Sequence, residues 1–147
     1  MCYWGKEDDW KIGVDTRQKQ YHVPPEIAST ELRPDIIIHS TKAKKVCFIE
    51  LTSPAEENIG VWKMKKRAKY LDLVEEARSN GYKACCRTIE VGCRGFVSQS
   101  SMNVFSLLGF RGRQVSAIRR DLSRIAVRCS HFIWINRENK VWANPNR

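Results

Sequence analysis

The sequence predicts an α/β fold in which a mixed central β-sheet is flanked by helices. Three observations carry this. Asp35–Ser40 (DIIIHS) and Val46–Thr52 (VCFIELT) are β-branched and aromatic runs joined by the polar Thr41–Lys45, a hairpin signature with a longer turn. A long helical stretch and another strand-like run follow the hairpin, so the last strand returns to the sheet through a helix. Two helical segments close the pattern, which is not a regular doubly wound repeat.

The elements can be justified in order. Trp10–Val14 (WKIGV) is a short strand. Tyr21–Pro25 reads as a turn or an edge strand, because Pro24 and Pro25 cannot donate to a ladder. After the hairpin, one helix is predicted over roughly Ala55–Ser79. Ser53 can cap it, Pro54 suits its first turn, and Glu56 and Glu57 favour its N-terminal dipole. Asn80-Gly81 ends it, and Tyr82–Val91 is the next strand. Gly92, Cys93, Arg94 and Gly95 form a tight loop, followed by helices at about Ser98–Leu108 and Gln114–Phe132. In the last helix Val115, Ile118, Leu122, Ile125, Cys129 and Phe132 recur at helical spacing, which predicts a buried face. Arg113, Arg119, Arg120, Arg124 and Arg128 lie off that stripe, and the last three form one ridge. Such a ridge is either a solvated face or a phosphate-contacting one.

The chain of 147 residues is about one domain's worth, expected as a single unit with a core at about 10–134 and a C-terminal tail at 135–147. That size supports a core without a metal or disulfide staple. Six cysteines include no CxxC pair, and the three histidines are not clustered near them, which argues against a zinc site. Cys47 and Cys129 are expected in the core. No apolar run approaches the length of a membrane span, and the first residues lack the apolar stretch of a secretory signal, so an intracellular, unsecreted protein without a membrane partner is expected. Lys and Arg total 26 against 16 Asp and Glu, a formal charge of +10, which makes nucleic acid the first partner to consider.

Asp35 opens the first strong strand and Glu50 lies near the end of the second. If the strands pair as a hairpin, the two carboxylates converge at one edge of the sheet. Two close carboxylates call for a cation, and Mg²⁺ or Mn²⁺ suits a pair of them plus the carbonyl of Leu51. Such an ion lowers the pKa of bound water and neutralises charge developing on a phosphodiester. Strand alternation puts Phe48, Glu50 and Thr52 on one face. A nuclease on this plan wants a cation near position 52; Thr52 stands there instead, while Lys63, Lys65, Lys66 and Lys69 follow on the helix. Lys66 and Lys69, with Tyr70, are near neighbours at helical spacing and one of the lysines could reach back. The structural alternatives are a salt bridge for Glu50, surface positions for the lysines and core packing for Tyr70. Arg94, at the loop tip, either serves the turn or touches phosphate. His39 shares the face of Asp35 by alternation and is read as structural.

Pro34-Asp35 followed by Glu50-x-Thr52 resembles the PD-(D/E)xK nuclease motif with its lysine displaced. Four blocks extend the likeness: LRPDIII (Leu32–Ile38), FIELTSP (Phe48–Pro54), KKRAKYLDLVEEAR (Lys65–Arg78) and IEVGCRGF (Ile89–Phe96). Together they are similar to the restriction-like endonuclease module near the C-termini of some animal non-LTR retrotransposon polyproteins, after the reverse transcriptase. The likeness covers roughly Trp10–Trp134. It implies a restriction-endonuclease-like core and Mg²⁺-dependent nicking of target DNA. It implies Asp35 and Glu50 as metal ligands, and Lys66 or Lys69 in place of the motif lysine with Tyr70 nearby. It also implies a nuclear setting and a reverse transcriptase polyprotein as partner. Glu26 is a further acidic candidate upstream. DNA-backbone contacts are assigned to Arg94, Arg113, Arg120, Arg124 and Arg128. Two other classes stay open: a catalytically inactive nucleic-acid-binding module on the same fold, and a protein-interaction domain with incidental basicity.

Overall fold

The structure is a computed structural model, and it describes residues 9–16 and 18–139. Among the described residues four strands form one sheet in the order β1-β2-β3-β4: β1 (Lys11–Val14), β2 (Ile36–Ser40), β3 (Lys45–Thr52) and β4 (Lys83–Glu90). The first three pair antiparallel, and β4 joins β3 in parallel, with Glu50 opposite Thr88 and Thr52 opposite Glu90. The β2–β3 turn is closed by Asp9, whose carboxylate accepts from the Ser40 hydroxyl at 2.5 Å and from the Lys42 amide at 2.9 Å. Sheet and flanking helices together make the mixed α/β architecture that the residue pattern predicts.

Alternation along the strands divides the core in two. Ile37, Val46, Phe48 and Ala84 pack on one face with Val23, Ile27, Leu73, Val74 and Ala77. Ile38, Cys47, Ile49 and Ile89 pack on the other with Val104, Phe105 and Ala126. The first face is covered mainly by α2 (Leu71–Ser79), the second by α3 (Gln99–Leu107) and α4 (Arg113–Ile135).

Several boundaries differ from the expectation. Of the two readings of Tyr21–Pro25, the strand does not form and the turn does, at residues 25–27, with the Ile27 amide donating to the Pro24 carbonyl at 2.8 Å. The helix predicted over Ala55–Ser79 is a 3-10 turn, Glu56–Asn58, then α1 (Ile59–Lys69), then α2. The break falls at Tyr70, whose side chain is wholly buried in the first core and whose hydroxyl donates to the Arg33 carbonyl at 3.3 Å. Ser53 is exposed, and the α1 N-cap is Asn58, without a side-chain capping bond. Ser98 does cap α3, accepting from the Ser101 amide.

The apolar stripe of α4 is buried only in part. Val115, Ile118 and Leu122 pack on the second core, but Ile125 is 56% exposed and Phe132 51%. Leu122, Ile125, Ala126 and Cys129 face Leu51, Ile89 and Val91 across an open apolar cleft of about 310 Å³. Cys129 is therefore exposed rather than in the core, whereas Cys47 is fully buried. Among the described residues no helix is long and apolar enough to cross a membrane.

Candidate functional site

Asp35 and Glu50 meet where the β2–β3 hairpin opens. The ladder ends at Ile36 opposite Ile49. One residue beyond, the Asp35 carboxylate crosses to β3 and accepts from the Leu51 amide at 2.7 Å. In a strand the N–H and C=O of one residue point to the same side, so the Leu51 carbonyl faces the edge that Asp35 occupies. Glu50 lies on the face of Phe48, which is covered by the first core, and is 4% exposed.

The helix supplies the cation. Lys66, from α1, brings Nζ to 2.5 Å from Glu50 Oε1. Glu50 Oε2 is buried and has no hydrogen-bond partner among the described residues. Lys69 Nζ donates to the Tyr70 hydroxyl at 3.1 Å and lies 4.8 Å from the centroid of that ring. Tyr70 thus ties Lys69 to the Arg33 carbonyl, two residues before Asp35. Asp35, Glu50, Leu51, Lys66, Lys69 and Tyr70 form one constellation. Thr52 ends β3 beside it, and its carbonyl accepts from the Val91 amide at 3.0 Å.

The electrostatics follow from burial. Desolvation raises the Asp35 pKa, and the charge of Glu50 adds to it; the Leu51 amide, Lys66 and Lys69 work against them. Burial, then close contact with the Glu50 carboxylate and the charges of Glu50 and Asp35, holds the Tyr70 phenol well above its ordinary value, so it remains a neutral hydroxyl. The arrangement presents two carboxylates, one of them with an orphaned oxygen, and one carbonyl, all hard oxygen donors. Mg²⁺ takes such donors and retains several waters, so these residues fit it without further protein ligands. Among the described residues no group of three or more His, Cys, Asp or Glu side chains is placed to hold a metal. Glu26 sits exposed at the turn before Ile27 and does not join the carboxylate pair.

The other candidates lie elsewhere. Arg94 donates from Nε to Glu56 at 2.7 Å and from Nη2 to Glu57 at 3.3 Å, which ties the β4–α3 loop to the start of the α1 segment. Arg113, Arg120, Arg124 and Arg128 are exposed along α4. His39 is buried in β2, with Nε2 at 3.5 Å from the Tyr21 hydroxyl, and burial holds its imidazole below the ordinary pKa.

Sequence reasoning passed over a second buried carboxylate. Glu90, at the end of β4, is inaccessible to solvent, and its Oε2 accepts from the hydroxyls of Ser98 at 2.6 Å, Ser100 at 2.8 Å and Ser101 at 3.4 Å. Its Oε1 has no partner. The signal was the one used for Glu50, a glutamate inside an apolar strand. No protein-family profile matches this chain, and the comparison with curated proteins finds no match either.

Proposed function

We propose that the chain is a metal-dependent DNA endonuclease domain of the PD-(D/E)xK type that nicks target DNA. One observation carries the reading: two carboxylates converge at the end of a hairpin, and one keeps a buried oxygen with no hydrogen-bond partner among the described residues. An isolated buried carboxylate oxygen is costly, and a hard cation removes the cost. Asp35, Glu50 and the Leu51 carbonyl would hold Mg²⁺ or Mn²⁺. When bound, the ion would neutralise charge developing on the scissile phosphodiester.

The chain's own residues do the rest. Asp35 must be ionised to serve, and it is anchored by the Leu51 amide in the orientation it needs. Lys66, which pairs with Glu50, would donate to a phosphate oxygen; Lys69, bonded to the Tyr70 hydroxyl, is the second candidate. The chemistry is hydrolysis, in which water adds to phosphorus and the sugar oxygen leaves. Arg113, Arg120, Arg124 and Arg128 are offered as backbone contacts that position the duplex. The restriction-endonuclease-like core, the retrotransposon origin, the reverse transcriptase partner and the nuclear setting belong to this reading and rest on the sequence blocks.

The second reading is an inactive nucleic-acid-binding module on the same fold. The Lys66–Glu50 contact favours it, because the ammonium already satisfies one oxygen of the carboxylate a metal would use. Supercoiled plasmid incubated with the protein and Mg²⁺ or Mn²⁺ decides between them. Nicking that disappears in folded Asp35→Ala and Glu50→Ala variants establishes the nuclease. Intact DNA binding without nicking by the wild-type protein establishes the binding module.

A further inference from the structure

A cavity of about 350 Å³ opens beside the site, between α1, the free edge of β4 and α3. Lys63, Arg67 and Arg87 line it together with Thr88, Ser100 and Asn103. Neither Lys63 nor Arg67 forms an ion pair among the described residues. Arg87 is fixed by one bond, Nη1 to the Cys86 carbonyl at 3.1 Å, which leaves the rest of its guanidinium free to donate. Three like charges around one small space repel one another unless an anion enters. Two neutral groups add donors, the Thr88 hydroxyl and the Asn103 amide, whereas the Ser100 hydroxyl is already given to Glu90.

The cavity adjoins Glu50 by two short steps. Thr88 is the register partner of Glu50 on the neighbouring strand, a spacing of about 4.8 Å. Lys63 lies one helical turn before Lys66, with about 5–6 Å between such Cβ atoms. Cys86, also on the cavity wall, has its thiol pushed up to about 11 by burial and then by the charge of Glu50. Arg67 and Arg87 line a second, adjoining cavity of about 280 Å³ together with Arg78, so cations continue along the β4 edge. Glu90 does not line the first cavity; Ser100, which does, donates its hydroxyl to it.

We propose that this cavity is a phosphate-binding site that holds the backbone phosphate next to the one at Asp35 and Glu50, so that a nucleic-acid strand runs along the free edge of β4. The assignment to a strand rests on the proposed function, whereas the cationic cavity does not. Charge-assisted bonds from arginine suit a phosphate group.

The test uses the full chain in EDTA, so that binding is read apart from cleavage. A labelled single-stranded oligonucleotide is titrated across a salt series, with inorganic phosphate as competitor. Arg67→Gln and Arg87→Gln should each weaken binding roughly tenfold and lower the slope of log K against log salt by about 0.7. Arg67→Lys should restore the slope, and Lys19→Gln, a charge-matched control in an exposed loop, should change neither quantity. Cavity variants that behave like Lys19→Gln overturn the proposal. Direct binding of inorganic phosphate that the cavity variants lose, with unchanged oligonucleotide binding, overturns the strand and leaves a free-phosphate site. Plasmid nicking is scored separately: nicking with normal binding by the cavity variants defeats this inference alone, and weakened binding by them without wild-type nicking defeats the nuclease alone.

Discussion

Lys66 Nζ lies 2.5 Å from Glu50 Oε1, an ion pair between α1 and the end of β3 in which the carboxylate is almost fully enclosed and the lysine about one quarter exposed. Removing one member of such a pair strands the other. Lys66→Met should therefore destabilise the protein by about 2–4 kcal/mol, because Glu50 keeps its burial and loses the counter-charge paired with it. The double variant Glu50→Leu/Lys66→Met should recover to within about 1 kcal/mol of wild type. Urea unfolding of the two single variants and the double variant closes the cycle. Additive losses would show that the two side chains are not energetically coupled.

Asp35 gives a pH signature. Its pKa is raised above the ordinary 3.8, first by burial and then by Glu50. The folded protein therefore binds this proton more tightly than the unfolded chain does. The resulting stabilisation is complete below 3.8 and is lost as pH rises through the folded-state value. Asp35→Asn, which keeps an acceptor for the Leu51 amide, should remove this part of the pH dependence. A metal requires the ionised form, so the stabilisation that Mg²⁺ confers should fade on acidification earlier than for an ordinary carboxylate. Urea midpoints with and without Mg²⁺ across pH measure both effects.

Much of this site is legible in the residues because its acidic members stand at strand ends. Asp35 precedes a run of isoleucines and Glu50 interrupts an apolar strand, so their convergence needs only the hairpin. The helical lysines were legible as a group, but the choice of Lys66 as the partner of Glu50 depends on where α1 lies against the sheet. The break at Tyr70 carries no glycine or proline; it arises because the ring turns into the core and its hydroxyl finds the Arg33 carbonyl. Glu90 escaped notice because its partners come from a helix start 8 to 11 residues later. The α4 periodicity was right, yet burial depends on what stands opposite, and past Leu122 that is an open cleft.

Gly13 is fixed by Tyr21. A Cβ on Gly13 would overlap the Tyr21 ring, which covers the edge strand and places its hydroxyl near His39. Gly13→Ala should cost about 2 kcal/mol, since the ring must leave its place or β1 must shift. Adding Tyr21→Ala should make the alanine at position 13 nearly neutral, a non-additivity readable in urea unfolding. A full penalty in the Tyr21→Ala background would place the conflict elsewhere.

Arg94 is the counter-charge of Glu56, and the pair contributes to the acid limb of stability. The guanidinium bond lowers the Glu56 pKa from 4.5 to about 2. A depressed carboxyl contributes stability above 4.5, and that contribution drains away as pH falls toward about 2. Arg94→Met should therefore lower stability at neutral pH and flatten the loss between pH 4.5 and about 2, because Glu56 no longer has a favourable charged state to give up. The bond also spans from the β4–α3 loop to the turn before α1, so the variant should loosen both segments. Amide exchange at Arg94, whose N–H donates to Glu56 Oε1 at 2.8 Å, should accelerate with it. Unchanged exchange and an unchanged acid limb would show that the contact is only a surface encounter, worth little in water.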